Sequence, residues 1–190
     1  FDKGDATLAN FIKDANFPLV CANISVSAPS ELNSLRVTGN DTANGKLGER
    51  KIITLPSGEK VGIFGLTTPE TPLLSSPSVN VTFNNNLVAV AQAQVDALKT
   101  AGVNKIIALT HLGYDVDFDL ATKVRGIDVI VGGHSHTPLL PDVQETLPLG
   151  VKRVAGYPTV VPDPDGNHVL VVTDWEWGKW VGDLIVGFDA

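Results

Sequence analysis

Three of the four histidines in this 190-residue chain stand where they could bind a metal ion. His134 and His136 lie in the stretch G-G-H-S-H, directly after the apolar run V-I-V, and His111 directly follows the run I-I-A-L-T. Side chains two positions apart in an extended segment point the same way, so His134 and His136 could face one metal or two neighbouring metals. Imidazole suits Zn, Mn, Fe or Ni, and histidines mixed with carboxylates would suit a metal pair that handles phosphate. The spacing favours a metal site, and a chance pair or a capping arrangement is the open alternative.

One predicted strand–helix–strand unit would bring the three histidines together. Residues 104–110 are typical of a strand buried on both faces, 115–125 of a helix and 128–131 of a second buried strand. The connection is long enough for a parallel crossover, and such crossovers place their two strands close together in one sheet. We therefore expect all three histidines at the carboxyl ends of parallel strands, where open α/β sheets bind their ligands.

The remaining patterns predict an α/β protein with a mixed sheet. Helical spacing predicts helices over 5–15 and 86–101, and a Pro-Ser-Gly turn predicts a hairpin over 50–66. The polar stretch 25–48 predicts a surface excursion, and the Pro-rich stretch 138–148 predicts a loop. Further strands are predicted at 17–24, R-V-A-G, H-V-L-V-V-T-D and L-I-V-G-F. Helices and strands alternate in the middle of the chain while strands dominate its end, which indicates this fold class.

Two other motifs could carry chemistry but lack the necessary partners. Ser135 stands between two histidines like a nucleophile beside a base, yet no G-x-S-x-G elbow surrounds it. Asp115, Asp117 and Asp119 alternate as in a calcium loop, but the required Gly and Glu do not follow. We interpret the three carboxylates as first-turn residues of a helix, where the helix dipole favours negative charge.

The tryptophans and the fourth histidine are interpreted as structural. Trp175, Trp177 and Trp180 alternate like a hairpin with one aromatic face, which favours packing over a base-stacking platform. His168 stands beside a turn and is expected to be polar surface.

Composition bounds the class of partner. The net charge of −7 argues against a nucleic-acid polymer, and no apolar run is long enough to span a bilayer. Anionic substrates would need local cations in so acidic a protein, and bound metal would supply them. The chain length fits one domain over residues 1–190.

Two features bear weakly on export and processing. Glycosylation sequons occur at Asn23, Asn40 and Asn80, which is slight evidence for secretion. The chain has no Met and opens on Phe1, so we expect a preceding segment.

Longer motifs carry a family resemblance over essentially the whole chain. T-H-L-G-Y-D, G-I-D-V-I-V-G-G-H-S-H-T and W-E-W-G-K-W-V-G-D-L resemble the calcineurin-like metallophosphoesterases, in particular the 5′-nucleotidase and secreted phosphatase branch. F-G-L-T-T-P-E-T-P and Y-P-T-V-V-P-D-P-D-G are similar to the same branch. The resemblance implies an α/β/β/α fold that holds two divalent metals (Zn, Mn, Fe, Ca or Mg). It also implies an enzyme that hydrolyses a nucleotide or another phosphomonoester. It further implies that His111 and His134 bind one metal, that His136 contacts the other, and that the protein is extracellular or periplasmic.

The resemblance also implies missing parts. The family's D-x-H, G-D and G-N-H-E/D motifs would lie before Phe1, and its C-terminal nucleotide-binding domain is absent, so we expect the later part of a catalytic domain. Catalytic and substrate-binding residues are not identified. Three neutral imidazoles do not offset two divalent cations, so we expect at most one well-bound metal and little or no activity unless an upstream segment associates. The alternative is a non-catalytic fragment that binds one metal or a protein partner.

Overall fold

A computed structural model describes residues 1–144, 146–147 and 150–188 of the chain, which divides into two compact units, Phe1–Asn104 and Lys105–Ala190. Of the predicted loop 138–148, residues 145 and 148 lie outside the described residues, as does residue 149 beyond it. The helices are α1 (Gly4–Asp14), α2 (Thr71–Leu74), α3 (Leu87–Thr100), α4 (Tyr114–Lys123) and a 3-10 helix (Glu31–Ser34). The strands are β1 (Leu19–Val20), β2 (Ile24–Val26), β3 (Leu47–Gly48), β4 (Arg50–Thr54), β5 (Lys60–Thr67), β6 (Val81–Phe83), β7 (Lys105–His111), β8 (Val129–Val131), β9 (Leu139–Leu140), β10 (Ala155–Gly156), β11 (Thr159–Pro162) and β12 (His168–Val172).

The first unit contains the predicted hairpin and both of its predicted helices. Strands β4 and β5 pair antiparallel, with Arg50 opposite Phe64. The Asn86 side chain accepts a hydrogen bond from the Ala89 amide and so caps the start of α3. Helix α3 packs against β5 through Leu98, whose methyl carbons would lie 2.7 and 2.8 Å from a Cβ atom added at Gly62. The hairpin and helix predictions are therefore confirmed.

The polar stretch 25–48 departs from the prediction of a surface excursion. It contains Leu32, Leu35 and Leu47, which are buried in a core with Ala9 and Ile12 of α1. These leucines are spaced by the 3-10 helix and a short strand, so neither helical nor strand periodicity shows in the sequence.

One of the three sequons is buried in the first unit. The Asn23 side chain is 1% exposed, donates to the Thr67 carbonyl oxygen at 2.8 Å and accepts from the Thr67 amide at 2.9 Å. A side chain with this role cannot carry a glycan in the folded protein, so the sequon evidence for export is weaker than the sequence indicates.

In the second unit, four strands lie side by side in the order β7, β8, β12, β11. Strand β8 is parallel to β7, with Leu109 opposite Val131, and parallel to β12, with Val131 opposite Val172. Strand β11 pairs antiparallel with β12. The predicted parallel crossover through α4 is thus confirmed, and parallel and antiparallel pairs together confirm the mixed α/β class.

The predicted strand L-I-V-G-F does not form. Residues 181–188 are irregular, and Ile185 is 91% exposed. β-branched residues favour a strand only where they pack against a neighbour, which Ile185 lacks. Instead, the Pro-flanked run Thr159–Pro162 supplies the fourth strand.

In the described part of the chain, each helix is too short or too polar to cross a lipid bilayer.

Candidate metal centre

Two of the predicted histidines lie together in the second unit. His111 ends β7, and His134 follows β8 on the neighbouring parallel strand. Their ring centroids are 5.1 Å apart, with 63° between the ring planes. The shared carboxyl edge of two parallel strands therefore brings these two imidazoles into contact, as the crossover predicts.

The glycine pair lets the loop backbone approach the first histidine. A Cβ added at Gly133 would lie 3.3 Å from the His111 Nδ1 atom, a separation tighter than ordinary packing allows. His134 and His136 have φ values of 85° and 51°, in the left-handed region that residues with a side chain rarely adopt. Such backbone strain persists only where surrounding contacts enforce it, and it is common at functional sites.

Hydrogen bonds from the β7–α4 turn hold this loop. The Gly113 amide donates to the Gly133 carbonyl oxygen at 3.0 Å, and the Tyr114 amide donates to the Ser135 hydroxyl oxygen at 3.0 Å. The Ser135 hydroxyl lies 2.7 Å from that of Thr137. Ser135 thus accepts a hydrogen bond from the Tyr114 amide at the start of α4. It caps this helix in place of the N-cap residue, Gly113, which has no side chain that could accept.

The third predicted histidine has different neighbours. The His136 Nδ1 atom lies 3.1 Å from Oε2 of Glu176, and its ring centroid lies 5.2 Å from that of Trp177. Within the ranges that the structure describes, no three His, Cys, Asp or Glu side chains form a group that could hold a metal ion. The structure therefore pairs His111 with His134 and places His136 beside a carboxylate.

Glu176 was not predicted as a site residue, although the tryptophans on either side of it were interpreted as packing residues. The predicted tryptophan hairpin is wrong, because Trp175 and Trp177 have φ values of 69° and 51° and the segment forms a turn. The Lys179 ammonium lies over both indole rings, 4.9 and 4.7 Å from their centroids, and pairs with Glu176. The available signal was the stretch D-W-E-W-G-K, which follows a third strand of the same parallel set.

A buried carboxyl group lies under the glycine pair. Asp117 of α4 is 1% exposed, and among the described residues neither of its oxygens has a hydrogen-bond partner of ordinary length. Burial raises its pKa to about 7, and the nearby Thr110 hydroxyl opposes that shift in part. A Cβ added at Gly132 would lie 2.2 Å from Oδ2 of Asp117. The interpretation of Asp117 as a helix carboxylate favoured by the dipole is therefore incomplete, because this side chain is buried. Asp119 of the same helix is exposed and pairs with Lys123.

The residues present fit part of a metal coordination sphere. Neutral imidazole nitrogens are common ligands for divalent transition metals, and His111 and His134 are close enough to share one ion. Two imidazoles leave positions to be filled and contribute no negative charge. His168, the fourth histidine, is exposed at the start of β12, as expected of polar surface.

No model of a known protein family matches the chain. Individual proteins do match it. The 5′-nucleotidase of Bos taurus is 41% identical over 193 residues, a match that covers all of this chain and 31% of the bovine protein. The snake venom 5′-nucleotidase of Crotalus adamanteus is 42% identical over 193 residues, again over all of this chain and over 30% of the venom protein.

A solved structure gives the same result. The 5′-nucleotidase precursor from Thermus thermophilus superposes with a TM-score of 0.80 at 42% identity, over 94% of this chain and 32% of that protein. The chain thus spans about a third of the length of the relatives it matches. With a shared fold and about 40% identity along its whole length, the chain corresponds to one segment of the proteins of the 5′-nucleotidase family.

Proposed function

We propose that this chain contributes metal-binding residues to a hydrolase of nucleotide phosphomonoesters. In this proposal His111 and His134 are ligands to one divalent metal, and His136 is a ligand to a second. The observation that carries the proposal is the contact between His111 and His134 at the ends of neighbouring parallel strands, 5.1 Å apart between ring centroids. The relatives that are named 5′-nucleotidases support the reaction class.

The role of the histidines follows from their chemistry. Each neutral imidazole offers one nitrogen lone pair, and the held loop fixes where the His134 ring lies. A divalent metal bound there would supply Lewis-acid stabilisation of the negative charge on a phosphate ester. The protein carries a net charge of −7, so its surface would not itself attract such an anion.

The ligand set also implies a limit. The three proposed histidine ligands carry no negative charge of their own, and bridged metal pairs require carboxylates between the ions. We therefore infer that a metal pair needs further ligands besides the three histidines. We infer too that the 190-residue chain alone binds one metal at most and does not hydrolyse AMP.

Export is supported by the names of two relatives, one a venom 5′-nucleotidase and the other a 5′-nucleotidase precursor.

A segment exchange tests the function. This chain would replace the matching segment of the bovine 5′-nucleotidase, and phosphate release from AMP would be measured with Zn²⁺ or Mn²⁺. We expect the exchanged protein to release phosphate and His134→Ala to lower the rate by more than about 100-fold, since even outer-shell changes at metal sites cost about 10–100-fold. His168→Ala is the matched control and should leave the rate unchanged. Activity that survives His134→Ala would contradict the proposal.

A further inference from the structure

A third strand brings a carboxylate to the edge where the histidines lie. Strand β12 is the parallel neighbour of β8, with Val172 opposite Val131, so the segments that follow these two residues leave the same edge. A bridge between Pro138 and Asp174 ties the end of the histidine loop to the start of the segment that contains Glu176. Glu176 is therefore placed beside His136 by the strand order as well as by its own contact.

The Glu176 carboxylate is held from both sides. Its side chain is 15% exposed; Oε2 lies 3.1 Å from the His136 Nδ1 atom, and Oε1 pairs with the Lys179 ammonium. Lys179 in turn lies over the indole rings of Trp175 and Trp177, an arrangement that fixes a cation on aromatic faces. The carboxylate thus has little freedom to turn away from His136.

The backbone is strained to make this arrangement. Trp175 and Trp177, on either side of Glu176, both have left-handed φ values, and so does His136. The Trp177 ring meets the His136 ring nearly edge on, at 76° between planes. Non-glycine residues adopt this conformation only where neighbouring contacts enforce it, so the placement of the imidazole against the carboxylate is specific.

We propose that Glu176 is a positioning residue for His136. Its carboxylate accepts the Nδ1 proton of His136, which fixes the tautomer and leaves Nε2 as the ring nitrogen with a free lone pair. Binding of a divalent metal at Nε2 rests on the proposed function above, whereas the tautomer does not. Carboxylate and imidazole then act as one unit, in which Glu176 orients the ring without itself touching substrate.

The tautomer can be observed directly by long-range ¹H–¹⁵N NMR on the ¹⁵N-labelled chain at about pH 8, where an ordinary imidazole is neutral. We expect His136 to carry its proton on Nδ1 in the wild type. Glu176→Ala should abolish that preference, because the acceptor is lost. Glu176→Gln should retain it, because the amide oxygen can still accept. The matched control is Asp174→Asn, which removes a negative charge from the same segment and should leave the His136 signals unchanged.

Each outcome decides the proposal. A His136 ring protonated on Nε2 in the wild type overturns it, and so does an unchanged tautomer in Glu176→Ala. If the alanine variant does not fold, the wild-type tautomer and the glutamine variant still decide. The two proposals can fail separately. His136→Ala in the segment-exchanged 5′-nucleotidase tests the ligand role, since it should lower phosphate release, whereas the His136 tautomer in the metal-free chain tests the positioning role alone.

Discussion

Asp117 gives the most quantitative prediction, because a carboxyl group that is 1% exposed should make stability depend on pH. Burial raises its pKa from 3.8 to about 7. The folded protein therefore favours the protonated carboxyl group more than the unfolded chain does. The stability that this group contributes is complete below about pH 3.8 and is lost as the pH rises through about 7.

The size of the loss follows from the shift. A difference of about 3 pKa units corresponds to about 4 kcal/mol in the free energy of unfolding, at about 1.4 kcal/mol per unit. Water entry and local relaxation reduce the cost of a buried charge, so we expect between about 2 and 4 kcal/mol. Asp117→Asn has nearly the same shape and cannot ionise, so it should escape this loss.

Urea unfolding at a series of pH values from about 4 to 8 measures the effect. The free energy of unfolding of Asp117→Asn minus that of the wild type should rise by between about 2 and 4 kcal/mol over this range. Titration of all other groups cancels in the difference. Asp119→Asn, on the exposed side of the same helix, is the control and should change the difference by less than about 0.5 kcal/mol. A difference for Asp117→Asn that is flat, or that grows toward acid, would show that ionisation of Asp117 does not destabilise the fold.

Two further substitutions test the packing. Gly132→Ala places a methyl group 2.2 Å from Oδ2 of Asp117 and should lower the free energy of unfolding by about 1–3 kcal/mol. The control is Gly187→Ala, where no atom lies within 4 Å of the added methyl group, and it should leave the free energy of unfolding unchanged. Equal effects of the two substitutions would contradict the close approach of Gly132 to Asp117. Asn23→Ala removes the two hydrogen bonds that this buried side chain makes to the Thr67 backbone, so urea unfolding should show a loss of about 1–3 kcal/mol. A loss below about 0.5 kcal/mol would argue against the buried role.

The sequence predicts the histidine pair because the relevant signals are regular. Apolar runs that end in His111 and in the glycine pair mark two buried strands, and the connection between them is long enough for a parallel crossover. The right-handed crossover rule then places His111 beside His134 without knowledge of any side-chain contact. The order of the strands thus predicts which histidines are neighbours, which the G-G-H-S-H motif alone does not.

The sequence does not predict Glu176, for a physical reason. Alternating aromatic residues indicate a hairpin only when the backbone is extended, and the left-handed conformations of Trp175 and Trp177 break that pattern. The position of β12 next to β8 depends on pairing between segments that are distant in the chain, which periodicity cannot reveal. For the same reason the apolar run around Ile185 resembles a strand but pairs with no other strand in the described part of the chain.

Asp117 illustrates a different limit. Its spacing with Asp115 and Asp119 is that of an ordinary solvated helix start, and nothing local distinguishes the carboxyl group that becomes buried. Burial arises because α4 presents this position to Gly132, where the missing side chain leaves room for the carboxylate.

We propose that His111 and His134 bind one metal ion together, and isothermal titration of Zn²⁺ into the 190-residue chain measures this binding. We expect a single zinc site whose affinity falls by at least about 10-fold in His111→Ala and in His134→Ala, and does not change in His168→Ala. Zinc affinity that is equal in all three variants, or an absence of zinc binding by the wild type, would contradict the claim.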